Sequence, residues 1–119
     1  MTTIARVYDA RAADEGLRVL VDRLWPRGIR KDDPRIDAWW RDLAPSAELR
    51  TWFGHRVERL EEFAMRYREE LEAPEQADLL ARAREVDRAG GLTVLTATKD
   101  LAIAHTAVLA QVIDAAPAS

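Results

Sequence analysis

Apolar positions follow two rhythms along the chain. Over 56–72, Val57, Leu60, Phe63, Ala64, Tyr67 and Leu71 recur every three or four residues, with Glu and Arg filling the opposite face. This spacing predicts an amphipathic helix, and Glu62–Arg66 and Arg66–Glu70 add i,i+4 pairs to it. A second helix starts at Pro74 and stops at Gly90-Gly91, with Pro and Gly at the ends that suit them. A third spans 101–114, with Asp100 as its cap and Leu101, Ala104, Val108, Leu109, Val112 and Ile113 as its apolar residues. The other rhythm is short and nearly continuous. "TIARVY" (3–8), "LRVLVDR" (17–23) and "LTVLTAT" (92–98) read as strands. Val19 and Val21 point one way and Leu20 the other, so both faces of the second strand are covered.

Between the second strand and residue 56 the pattern predicts two more helices. Asp33-Pro34 opens one, with Ile36, Trp39, Trp40 and Leu43 on its inner side, and Pro45 ends it. Trp39 and Trp40 are adjacent, so one ring enters the core and the other meets a partner or a covering loop. Ser46 caps the next helix, which carries Leu49, Trp52 and Phe53 and closes at Gly54. Trp39, Trp52, Phe53, Phe63 and Tyr67 are expected to share one aromatic cluster.

The connection "DARAADEG" is too short for a helical crossover. The first two strands are therefore antiparallel neighbours or joined by a tight irregular turn. Strands 17–23 and 92–98 are separated by a long helical excursion, which predicts a parallel, adjacent pair with a right-handed crossover. The expected fold is a small α/β domain over 1–119: a short three-stranded sheet, at least two strands parallel, covered by four to five helices.

Composition narrows the chemistry. The chain has 119 residues, 48% hydrophobic, with a net charge of −3. A domain this small leaves much surface unburied, so a homodimer is a natural expectation. An acidic total disfavours nucleic acid as a general partner. Without cysteine there is no disulfide, thiolate catalyst or zinc–thiolate site, and two histidines rule out a histidine-rich metal site. No metal or cofactor is expected. No apolar run approaches the roughly 20 residues of a membrane span, and the N-terminus lacks a signal-peptide pattern. The expectation is a cytoplasmic protein.

If strands 17–23 and 92–98 are parallel, their C-terminal ends meet where open α/β sheets bind ligands. One end supplies Asp22, Arg23, Trp25, Arg27 and Gly28; the other supplies Thr96, Thr98, Lys99 and Asp100. Arginine suits bidentate contact with carboxylate or phosphate, and the helix start after Asp100 favours an anion. Arg23, Arg27, Arg50 and Lys99 are the candidate anion-binding residues. Asp22, His55 and Asp100 are the acid–base candidates, and Trp25, Gly28 and His105 the candidate walls. The plainer alternatives stand beside these. The charges can form structural ion pairs, Asp100 can be only a cap, Trp25-Pro26 a packed turn, and His55 a solvated residue at a helix end. The basic segment 23–35 can touch a nucleic-acid backbone, but no nucleic-acid motif frames it. Nor is there a phosphate-binding or hydrolase motif.

Three blocks carry a resemblance: "RVLVDRLWPRG"; "W-x-x-D-L-A-P-S-x-x-L-R-x-W-F-G-H"; and Phe63, Tyr67, Glu70 and Leu71 in the helix that follows. With "LTVLTATKD", these resemble the domain of unknown function 488 family, in its short YeaO-like branch, over nearly the whole chain. The resemblance implies an α/β fold and a bacterial cytoplasmic origin, and brings no established activity. It marks Asp22, Arg23, Trp25, Pro26, Arg27, Gly28, Trp39, Arg50, Trp52, Phe53, Gly54, His55, Lys99 and Asp100 as motif positions. It also implies a Cys-His-Arg stretch in the last helix of longer relatives, where this chain reads Ala104-His105-Thr106. YeaO-like members more usually carry Asn where this chain has Ala104, and Tyr where it has Thr96.

Overall fold

The computed structural model describes residues 1–115. Four parallel strands form one sheet: β1 (Thr3–Arg6), β2 (Leu17–Leu20), β3 (Ala38–Trp39) and β4 (Leu92–Thr96), in the order β1-β4-β2-β3. Helices α1 (Ala47–Phe53), α2 (Leu60–Glu70), α3 (Pro74–Gly90) and α4 (His105–Asp114) complete the α/β fold. Short 3₁₀ turns at Arg41–Leu43, Val57–Arg59 and Leu101–Ile103 link them.

The expected β2–β4 pair is present and parallel, with Val19 opposite Val94 and Leu20 opposite Leu95. The sheet has four strands, one more than expected. The first two strands are not neighbours: β4 lies between them and pairs with both. All five residues of β4 are buried, as a central strand covered on both faces requires. At the foot of this pair Gly16 meets Gly91. A Cβ on Gly16 would stand 2.1 Å from the Gly91 carbonyl oxygen, and Gly16 has φ +71°, so no other residue fits.

The helix expected from Asp33 is the main departure. Residues 38–39 form β3, and only Arg41–Leu43 turn helically. Long-range partners decide this segment. The Asp37 carboxylate accepts the Arg18 backbone N–H at 2.8 Å, the Trp40 N–H donates to the Leu20 carbonyl at 2.9 Å, and the Trp39 indole N–H donates to the Asp22 carbonyl at 2.7 Å. Extended backbone then sends the two tryptophans to opposite sides. Trp39 packs with Ala5, Val7, Leu20, Ile29 and Leu95, whereas Trp40 packs against the larger core.

The larger core lies between the sheet and α1–α4. Phe53 stacks on Phe63 at 4.2 Å, and Phe63 meets Tyr67 at 5.8 Å. Trp52 packs against this core from its rim, half-buried beneath the Arg59 and Arg66 guanidinium groups, whereas Trp39 does not join it and meets Trp25 edge-on at 5.4 Å on the other side of the sheet. Helix α1 matches expectation, with the Ser46 hydroxyl accepting the Leu49 N–H and Gly54 in the left-handed conformation. Asp100 caps as expected, but onto the Leu101–Ile103 turn; α4 starts only at His105, after Ala104.

Candidate functional site

Beyond their hydrogen-bonded residues, β2 and β4 stay together for one more step. The Val21 N–H donates to the Leu95 carbonyl, and the Ala97 N–H donates to Asp22 Oδ2 at 2.8 Å. Asp22 thus ties the two strand ends. The α4 N-terminus reaches the same point. His105 Nε2 lies 2.9 Å from the Val21 carbonyl oxygen and 3.3 Å from Asp22 Oδ1. A carbonyl only accepts, so Nε2 carries the proton. Burial raises the Asp22 pKa, but the His105 hydrogen bond and charge, the Ala97 N–H and the Thr96 hydroxyl outweigh it, so the carboxyl sits below its ordinary value. Behind His105, the buried Tyr67 donates its hydroxyl proton to the Leu43 carbonyl. Its burial, with Glu70 and Asp22 nearby, pushes the phenol well above its ordinary pKa.

Above this floor opens a cavity of about 370 Å³. The segment after β2 supplies Asp22, Arg23, Leu24, Trp25, Pro26 and Arg27 to it. Helix α1 and its end supply Arg50, Phe53 and His55; the α4 side supplies Thr98, Ile103, Ala104 and His105. Of the candidates drawn from sequence, Asp22, Arg23, Trp25, Arg27, Arg50, His55 and His105 line this one cavity. Gly28, Lys99 and Asp100 do not. Gly28 follows Arg27 with φ +77° and open space around it, Lys99 is exposed, and the Asp100 carboxylate accepts the Ala102 N–H.

The arginines of the cavity differ in what holds them. Arg23 donates to the carbonyls of Pro45 and Ala44, each at 3.2 Å, and so clamps the loop before α1. Arg27 and Arg50 are exposed, and among the described residues neither forms an ion pair. Arg50 lies in the last turn of α1, where a cation also suits the helix dipole. His55 follows left-handed Gly54 with its own φ at +57°, a reversal that brings it back to the cavity, its ring 6.0 Å from Phe53. Three arginines and two histidines thus surround a single carboxylate. No group of three metal-ligating side chains occurs among the described residues.

Apart from Trp25, sequence reasoning missed the apolar part of the lining. Phe53 and Phe63 read as core, and they are core; both also border the cavity. Leu24 carried a signal, an apolar residue between Arg23 and Trp25 just past a strand, and it is an exposed hydrophobic residue here.

The sequence description of the inactive DUF488-N3 subclade matches residues 1–119. The chain belongs to this subclade. Uncharacterised proteins of Mycobacterium tuberculosis and Mycobacterium bovis are each 50% identical to it over 111 residues, covering 93% of this chain and 92% of theirs. The uncharacterised protein YeaO of Escherichia coli is 40% identical over 105 residues, covering 88% of this chain and 90% of its own. No solved structure matches the chain. The expected kinship with the YeaO-like branch is therefore correct. Among the described residues, no helix is long and apolar enough to cross a membrane.

Proposed function

We propose that this member of the subclade is a cytoplasmic binding protein for a small phosphorylated or carboxylated molecule, held at the C-terminal ends of β2 and β4. One observation carries the reading: Arg27 and Arg50 converge on one cavity, and neither has an acidic partner among the described residues. Two cations facing one space repel unless an anion enters, and guanidinium groups match carboxylate and phosphate geometry. His55 adds a third donor at the rim. Arg23 and Asp22 belong to the frame, since their polar groups already hold the Pro45 loop and the Ala97 N–H.

Binding is favoured over catalysis. The subclade is described as inactive. At the start of α4, where the family resemblance implies a cysteine in longer relatives, this chain has Ala104. In this reading Asp22 and Asp100 serve the fold and His55 serves binding. Nucleic-acid contact through 23–35 draws less support. Arg23, Arg30 and Arg35 are engaged with carbonyls, Asp32 and Asp33, and Lys31 sits over the Trp25 and Trp39 rings at 4.6 and 4.7 Å.

Thermal unfolding with and without inorganic phosphate tests the proposal. Phosphate should raise the Tm of the wild type. The double variant Arg27→Met/Arg50→Met should unfold at nearly the wild-type temperature without phosphate and gain nothing from it. A wild type that phosphate does not stabilise would remove the reading.

A further inference from the structure

The cavity is larger and more apolar than an inorganic anion needs. Leu24, Trp25, Phe53, Phe63 and Ile103 all line it together with the cations. Three of these are aromatic, and each is fixed in place. Phe53 and Phe63 stack on one another at 4.2 Å. Trp25 donates its indole N–H to the Ile29 carbonyl at 2.7 Å and packs edge-on against Trp39. Leu24 is different: it is 68% exposed, beside the motif that shapes the cavity, and nothing in the core uses it. A phosphate or sulfate held by Arg27 and Arg50 would leave Leu24 in water, over a cavity floored by the buried Phe53 and Phe63.

We propose that the ligand is an amphipathic anion, a single aromatic or heteroaromatic ring joined to one phosphate or carboxylate group. Its ring lies between Leu24, Trp25 and Ile103, over the buried Phe53–Phe63 pair, while its charge meets Arg27 and Arg50. The inference rests on the anion-binding reading above and names the ligand's class. Size agrees with it. A cavity of about 370 Å³ is at the small end of ligand sites, which run from roughly 300 to 1,000 Å³, and suits one ring rather than a dinucleotide. The wall also favours a ring over an aliphatic chain, because aromatic side chains gain from stacked or edge-on contact beyond the area they cover. Leu24 becomes a specificity residue, its exposed side chain closing over the ring when ligand is bound.

Calorimetric titration at fixed ionic strength, with probes of matched charge, decides the matter. Phenyl phosphate should bind at least about tenfold more tightly than glycerol 3-phosphate, from the apolar area it buries, and should shift the Trp25 indole N–H resonance. Leu24→Ser changes an exposed side chain. It should reduce the preference for phenyl phosphate over glycerol 3-phosphate several-fold. Equal binding of the two probes would overturn the aromatic class and leave the anion site standing. Failure of both, and of inorganic phosphate, would overturn the anion site and this inference with it. A Leu24→Ser protein that keeps the full preference would remove Leu24 from the ring's wall.

Discussion

Two arginine-rich regions flank β2, and they differ in how their charges are met. Around the start of the strand, every guanidinium is engaged. Arg18, fully buried, donates to the Glu15 carboxylate and to the carbonyls of Arg35 and Asp9 at 2.7 and 2.8 Å. Arg11 grips both oxygens of Asp37 at 3.0 and 2.8 Å. Arg35 closes on Asp33, and that hydrogen bond helps to lower the Asp33 carboxyl to about 2. Past the end of the strand, Arg27 and Arg50 face a cavity with no acidic partner among the described residues. The first group fastens loops to the sheet; the second is the pair to which the proposed function assigns an anion. Abundance of arginine does not separate the two roles; the count of acceptors around each guanidinium does.

Arg18→Met leaves Glu15 without its partner in a largely buried position. It should cost about 3–5 kcal/mol, read from the urea midpoint. A loss below about 1 kcal/mol would show that the closed network is not structural. Asp22 tests the boundary, because it lies in the cavity but is bonded like a frame residue. Asp22→Asn should cost about 1–3 kcal/mol at pH 7. The Asp22 pKa is held down in the fold, so its stabilisation is present above the ordinary carboxylate value of about 4 and disappears as pH falls through the lower folded value. The gap between wild type and variant should therefore close in acid. A gap that persists there would trace to packing rather than charge. Removing this negative charge should also tighten phosphate binding. The smallest effect is expected at exposed Lys99, outside the cavity lining. Lys99→Met should change stability by less than about 0.5 kcal/mol and leave stabilisation by phosphate intact; loss of that stabilisation would place Lys99 among the anion's contacts.

How much of this was legible depends on the range of the signal. Ser46 and Gly54 bracket α1 by local chemistry, and Pro74 and Gly91 do the same for α3. The parallel β2–β4 pair followed from the length of the excursion between its strands. Residues 33–43 failed because their helical spacing competes with distant partners: Arg18, Leu20 and Asp22 draw Asp37, Trp40 and Trp39 into an extended edge strand. The site was legible in outline, since seven of the ten named residues line one cavity. Which arginines are free was not legible. Arg23 and Arg27 look alike in sequence, and only the carbonyls of Ala44 and Pro45, brought in from another segment, tell them apart.

The place of β4 in the sheet has a consequence for how the molecule is made. The central strand comes from late in the chain, and both β1 and β2 hydrogen-bond to it rather than to each other. A nascent chain that has not yet reached Leu92 has only the two-residue β2–β3 bridge as strand pairing. Its β1 and β2 must wait with their inner edges open, and β4 must enter the slot between them. Contacts of such long sequence separation slow folding. They also make assembly of the cavity wait on β4, because the Ala97 N–H that fixes Asp22, and the histidine of α4 beneath it, follow that strand in the chain. The cavity therefore cannot take shape until residues 97–105 have left the ribosome.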